Sequence, residues 1–429
     1  MHKNKGVRKM SAFAKIIGYE NVKKELRQVA DMIKNPDKYK AFGAKMPKGI
    51  ILHGVPGVGK TMLATALIEE AGVNSKVIRH EMARDSFCDH IKNSFEEFAA
   101  SSAPAIILLD DLDKFSMDEK NGEEFAVVQA CIDSVKDKDI FVVATVNDMR
   151  VLPKSLTRPG RFDRNVEIGY PVGEEATKII MYYMEGVKVA PDINYEDIAK
   201  MLTSRSCATL ASVINAAAIE AAFAEKENIE MEDFVKAILT DVYGLENHCG
   251  EMSPEKQEEI AYHEAGHAVL AEVLMPECIG MVSLSSEAYS GMGGFVLHCK
   301  EPERRAYEIL VALGGKAACE MKYGRVGSAT GLDLDKAAFE VLQSISRVAS
   351  LGFSNLSLRS QDSDAYLYGR QQVVAAEMER YLFKAKEIVA SNREFLDKVA
   401  TELLKKHTLL FSDMKRIRES CVIVPAVVG

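Results

Sequence analysis

The chain opens with short aliphatic runs separated by longer stretches of helical period. KGIILHG (48–54), KVIRHEM (76–82), AIILLDD (105–111), DIFVVATV (139–146) and RNVEIGY (164–170) read as strands. The third and fourth are almost unbroken in aliphatic residues, the pattern of strands buried on both faces of a parallel sheet. Amphipathic stretches such as TMLATALIEEAG (61–72) lie between them, which predicts repeated strand–helix units and an α/β domain. After YPVGEEATKII the period changes. Apolar residues recur at three and four, as in LASVINAAAIEAAFAE (210–225), and strand signals stop, so 172–245 reads as a small all-helical domain. GLENHCGEMSPEKQEE (244–259) is polar with Gly and Pro and serves as linker and helix start. The remainder, 251–429, reads as mainly helical with one β segment around GMVSLSS and GGFVLHC (280–299). Near its end Val373, Val374, Met378, Tyr381, Leu382 and Ala385 share one helical face, a packing stripe and not a cofactor box. The expected organisation is a basic tail over 1–10, an α/β domain over 11–171, a helical domain over 172–245 and a second, mainly helical domain over 251–429.

Composition narrows the function classes. A chain of 429 residues, 47% of them hydrophobic, fills about three domains with real cores. A formal net charge of −9 argues against a nucleic-acid partner, which would call for a basic face. Eight cysteines without a C-x-x-C pair fit a reducing compartment, and His248 beside Cys249 is an accident of the linker. No apolar run reaches the roughly 18–20 residues that cross a bilayer, and no secretory signal precedes the first domain. The chain is therefore expected to be cytoplasmic. Its basic start, HKNKGVRK, reads as a disordered tail, with a weak membrane-surface contact as the lesser alternative.

Two motifs carry chemistry. The run Gly54-Val55-Pro56-Gly57-Val58-Gly59-Lys60-Thr61 follows a predicted strand and opens a predicted helix, the context a phosphate-binding loop requires. Its glycines let backbone N–H groups face phosphates at a helix N-terminus; Lys60 would neutralise the β/γ-phosphates and Thr61 would coordinate Mg²⁺. An ordinary Gly-rich turn is the blander reading. The aliphatic strand ending in Asp110, where a carboxylate can hold Mg²⁺ through water, weighs against it. Asn147 ends another buried strand, where its amide can orient an attacking water. Arg158, Arg161 and Arg164 recur every third residue beside a Pro-Gly turn. They sit too far along the strand order for their own phosphate but suit a neighbouring subunit's, so a ring assembly is expected.

The second motif is His263-Glu264-x-x-His267. On a helix, positions i and i+4 point the same way, so both imidazoles can grip one zinc ion while Glu264 faces its water. Ile260, Ala261, Ala268, Val269 and Leu270 would make the wall dry, and Gly266 in a helix interior demands the close approach of another backbone. A third ligand must come from elsewhere. GRVGSATGLDLDKAAFEVL (324–342) offers Asp333 or Asp335, and by spacing alone Asp333 serves equally well as a helix cap.

Taken together, IIGYENVKKELRQVADMIKNPDKYKAFGAKMPKGIILHGVPGVGKT, SLTRPGRFDR and AYHEAGHAV, in this order, resemble the FtsH-type ATP-dependent zinc metalloproteases from about residue 11 to the C-terminus. The resemblance implies an AAA+ P-loop parallel-sheet domain with a helical lid, then a mainly helical zinc metallopeptidase domain. It implies ATP with Mg²⁺ and Zn²⁺ as cofactors, protein substrates and a homohexamer. It makes Asn147 a sensor and places Arg161 and Arg164 across the subunit interface. It selects Asp333 as third ligand, nine residues after Gly324, and places a substrate-binding strand within 281–296. Three departures stand out. The family's membrane spans do not precede the ATPase in this sequence. Asp111 stands where the family has a catalytic Glu, one methylene longer. The aromatic-Val-Gly pore loop is replaced by EMARDSFCDHIKNSF (81–95), with Phe87 its nearest stand-in. The expected function is ATP-dependent proteolysis. The alternatives are a slow-hydrolysing, nucleotide-gated remodelling or binding protein, and a peptidase of unfolded peptides with a mainly structural ATPase ring.

Overall fold

The structure is a computed structural model that describes residues 11–80, 84–100, 104–116, 122–245, 253–284, 293–325, 330–348 and 364–428. The basic tail and the His248–Cys249 pair lie outside the described residues. The chain divides into two compact units, Met1–Gly186 with Ser204–Ser212, and Val187–Thr203 with Val213–Gly429.

The first unit is α/β. In chain order it carries α1 (Glu20–Lys34), α2 (Pro36–Lys40), β1 (Gly49–His53), α3 (Lys60–Ala71), β2 (Asn74–Ile78), α4 (Arg84–Ala99), β3 (Ala105–Leu109), α5 (Glu123–Ser134), β4 (Ile140–Val146), β5 (Arg164–Glu167) and α6 (Glu174–Tyr183). The strands form one parallel sheet in the order β2-β3-β4-β1-β5. β3 and β4 are buried along their whole length, as the unbroken aliphatic runs required. Because β3, β4 and β1 are neighbours, the residues that follow them (Asp110, Asn147 and Gly54) meet at one edge, the carboxyl ends of a parallel sheet. β2 differs from expectation: it starts at Asn74 and stops at Ile78. It is an edge strand in register with Ala105–Leu109, and the next residue, Arg79, turns to meet Asp110 instead of extending the ladder.

The second unit holds α7 (Tyr195–Met201), most of α8 (Cys207–Phe223), α9 (Met231–Ala237), α10 (Pro254–Leu274), β6 (Ile279–Ser283), β7 (Phe295–His298), α11 (Arg305–Ala312), α12 (Gly314–Tyr323), α13 (Thr330–Val348), α14 (Asp364–Ser391), α15 (Arg393–Lys406), β8 (Thr408–Leu410) and α16 (Phe411–Glu419). α10 is its axis. Every residue from Ile260 to Val273 is buried, so the helix is wrapped on all sides. The capping Ser253 accepts a hydrogen bond from the Lys256 N–H, and Pro254 opens the first turn. Gly266 answers the demand read from the sequence: a Cβ there would lie 2.3 Å from the Gly314 carbonyl oxygen, so α10 and α12 meet backbone to backbone. The stripe of α14 packs as expected, with Leu382 and Ala385 buried and the other four against the same core. The β segment is an antiparallel sheet in the order β7-β6-β8. β8 was not legible: three residues are too few for a pattern, and its partner lies more than a hundred positions away. Among the described residues no helix is long and apolar enough to cross a membrane.

Candidate functional site

At the carboxyl edge of the parallel sheet, the loop from Gly54 to Gly59 turns through three positive φ angles, 153°, 80° and 92°, at Gly54, Gly57 and Gly59. Gly59 caps α3, so the N–H groups of the first turn face outward past Val55, Pro56 and the buried Val58. The Lys60 ammonium donates to the Gly54 and Val55 carbonyls and to Asn147 Oδ1, at 2.8, 2.9 and 2.8 Å. Burial pulls its pKa down, while the charges of Asp111 and Asp113 oppose that shift. Thr61 Oγ1 and Thr145 Oγ1 both donate to Asp110 Oδ1, at 2.8 and 2.7 Å, and Arg79 Nε donates to Asp110 Oδ2 at 2.8 Å. The Lys, the hydroxyl and the buried carboxylate thus stand in the relation that a Mg²⁺–nucleotide would need. Asp111 follows in the left-handed region (φ 56°), pairs with Lys114 at 2.6 Å and lies 3.4 Å from the Asn147 amide.

The arginines are not equivalent. Arg161 is clasped by Asp133, Nε at 3.0 Å and a terminal nitrogen at 2.7 Å. Hydrogen bonds from Arg161 and then Lys136 hold the Asp133 carboxyl below the ordinary carboxylate range. Arg164 is half-buried and, among the described residues, forms only a long ion pair to Glu25, at 3.9 Å, and Arg158 is exposed. Phe87 corrects an expectation. Its ring is fully buried and meets His80 and Phe115 edge to face, so it is core packing and offers no grip on a substrate.

In the second unit, α10 and the first turn of α13 bring His263, His267 and Asp333 together. Asp333 Oδ2 lies 3.0 Å from His263 Nε2 and 3.2 Å from His267 Nε2, and the two nitrogens are 3.1 Å apart. Ligands about 2.0–2.1 Å from a tetrahedral zinc stand about 3.4 Å from one another, so this cluster would need to open only slightly to hold the ion. The donor set fits the ion. Asp335 is exposed and outside the cluster. The His267 Nδ1–H donates to the Val311 carbonyl at 2.7 Å, which leaves Nε2 with its lone pair toward the cluster. The His263 ring lies against Gly315, where a Cβ would come within 2.4 Å of it. Glu264 is buried against Gly294, and burial pushes its carboxyl up to about 8, with His267 opposing. A cation beside it would favour the carboxylate. These side chains line a cavity of about 250 Å³ together with β7 and Lys336.

Sequence reasoning passed over three contributors. Val311 acts through its backbone and carries no side-chain signal. Gly315 lies in a run of small residues with nothing to mark it. His298 could have been found, because it alternates with Val296 and Gly294 on the predicted β segment.

The ATPase family associated with various cellular activities matches residues 50–170, and peptidase family M41 matches residues 250–417. Among similar proteins, the "ATP-dependent zinc metalloprotease FTSH 5, chloroplastic" of Arabidopsis thaliana is 31% identical over 92% of this chain and 62% of its own length. The "ATP-dependent zinc metalloprotease FTSH, chloroplastic" of Nicotiana tabacum is 32% identical over 92% and 61%. The "ATP-dependent zinc metalloprotease FtsH 2" of Symbiobacterium thermophilum is 30% identical over 94% and 74%. The chain spans 61% to 62% of the length of the two plant proteins.

Proposed function

The chain belongs to the FtsH family of ATP-dependent zinc metalloproteases, and on that premise we propose that it degrades protein substrates, with nucleotide-driven movement of the first unit feeding unfolded chain to a zinc peptidase in the second. The observation that carries the reading is the convergence of two imidazoles and a distant carboxylate beside a buried glutamate, in a chain that also holds a formed phosphate loop. His263, His267 and Asp333 would hold the zinc. When bound, it polarises the substrate carbonyl and lowers the pKa of a water to about 7. The water oxygen attacks the peptide carbonyl carbon while Glu264 takes one of its protons, and the carbonyl π pair moves onto oxygen. Collapse restores the C=O and breaks the C–N bond, and Glu264 hands the proton to the departing amine. Among the described residues β7 is an edge strand at this site, so an extended substrate can add to its outer side.

In the nucleotide site Lys60 would meet the β/γ-phosphates, Thr61 and Asp110 would hold Mg²⁺, and Asn147 with Asp111 would orient the attacking water. We assign the reach into a neighbouring subunit to Arg164 ahead of Arg161, because Asp133 already occupies the Arg161 guanidinium. The assembly proposed is a homohexamer in the cytoplasm, built from the segments 11–171, 172–245 and 251–429. One observation favours a second reading, a slow-hydrolysing remodelling protein: Asp111 is both short and paired with Lys114. Zinc content and ATP-dependent casein degradation, measured on one preparation, separate the two. Glu264→Gln is expected to keep the zinc and the ATPase while abolishing degradation. A variant that still degrades casein at the wild-type rate would remove Glu264 from the mechanism.

A further inference from the structure

The hydrolysis just described places negative charge on the former carbonyl oxygen, and a catalyst gains most from a donor aimed at charge that appears only in the transition state. His263 and His267 are committed to the ligand cluster, and Glu264 is the proton carrier. Among the described residues lining the cavity, two further side chains bear N–H groups: Lys336, which is exposed, and His298.

His298 ends β7. Strand alternation sets it on the same side as Val296, and both line the zinc-site cavity with Glu264, which is pressed against Gly294 just before the strand. The ring therefore stands on the strand proposed to receive the substrate backbone and lines the same cavity as the general base. Its Nδ1 is buried and has no hydrogen-bond partner among the described residues. A buried imidazole nitrogen without a partner is costly to keep, and polar groups left in that condition are commonly held for a ligand. Burial first, then the charges of Lys336 and His267, push its pKa down to about 4. The ring is thus neutral across the working range, able to donate one N–H without competing as a cation for the carboxylates of the site.

We propose that His298 donates a hydrogen bond to the substrate carbonyl oxygen as it becomes an oxyanion, and is a catalytic residue of the peptidase. The proposal rests on the peptidase reading, and its test distinguishes the two. His298→Ala and His298→Gln are prepared in the full chain and compared with wild type for zinc stoichiometry, ATPase rate, cleavage of a short fluorogenic peptide, and affinity for a peptide phosphonamidate, whose tetrahedral phosphoryl group copies the oxyanion. The alanine variant is expected to keep its zinc and ATPase, lose about 10²-fold or more in kcat with KM little changed, and bind the phosphonamidate correspondingly more weakly. The glutamine variant, which retains an amide N–H, is expected to recover part of both losses. An alanine variant with wild-type kcat and phosphonamidate affinity would overturn the proposal, as would a loss confined to KM or a loss explained by missing zinc. A wild-type protein with no zinc and no cleavage would instead remove the peptidase reading, and this inference with it.

Discussion

Asp111 shows how one methylene bears on turnover. Its backbone occupies the left-handed region, and its N–H donates to Thr145 Oγ1 at 2.7 Å. Its carboxylate turns to Lys114, 2.6 Å away, more closely than to the Asn147 amide at 3.4 Å. The same hydrogen bond raises the Lys114 pKa. A carboxylate held by a lysine and one atom short of its position is a poor orienter of water, although the groups that bind nucleotide are in place. Asp111→Glu is therefore expected to raise steady-state ATP hydrolysis and leave nucleotide affinity unchanged. A turnover assay alongside titration with a fluorescent ATP analogue checks both halves. Lys60 differs in kind: it was readable as a phosphate ligand from the motif, yet its three hydrogen bonds to two carbonyls and Asn147 could not be read, because they join residues up to 87 positions apart.

Between elements, the zinc site depends on how closely two helices approach. Gly266 of α10 and Gly314 of α12 share a backbone contact, and the next residue, Gly315, backs the His263 ring. The two contacts predict different failures. Gly266→Ala would drive a Cβ into a backbone carbonyl that cannot move alone, so the helices must part, at a cost of about 1–3 kcal/mol. A lowered melting temperature is the expected result. Gly315→Ala would press on a side chain, and the His263 ring would have to shift. The expected outcome there is a loss of about 10–100-fold in zinc affinity, the usual scale for disturbing what orients a ligand, with a smaller change in melting temperature. Competition with a zinc chelator and thermal melts on both variants test the contrast. Only the first of these contacts had a trace in the sequence, since a glycine inside an apolar helix is costly enough to imply a reason.

At the scale of the molecule, each unit carries one kind of chemistry in residues of its own. The nucleotide groups come from Gly54 to Asn147, and the zinc groups from His263, Glu264, His267 and Asp333. That separation supports a functional prediction. Lys60→Ala is expected to abolish nucleotide binding and the degradation of folded proteins, while a short peptide, which needs no unfolding, is still cleaved. Parallel assays with a folded substrate and a peptide would show it. Equal loss of both activities would mean that the peptidase needs nucleotide for more than delivery of substrate.

Much of this protein is written locally. The aliphatic runs specify buried parallel strands, because only side chains suited to two apolar faces tolerate that position. The glycine spacing before Lys60 specifies a phosphate loop, and the i, i+4 histidines specify a shared helix face. Those are interactions between near neighbours in the chain, where spacing and geometry are the same thing. The rest was decided by distance folded away. Spacing alone could not choose between Asp333 and Asp335, and the turn of α13 brings the first to the histidines and leaves the second exposed. Arg161 looked as free as Arg164 until α5 supplied Asp133, and Phe87 was the nearest stand-in for a pore residue until His80 and Phe115 enclosed it. In each case the deciding partner lies outside the local repeat, where only the packed chain can select it.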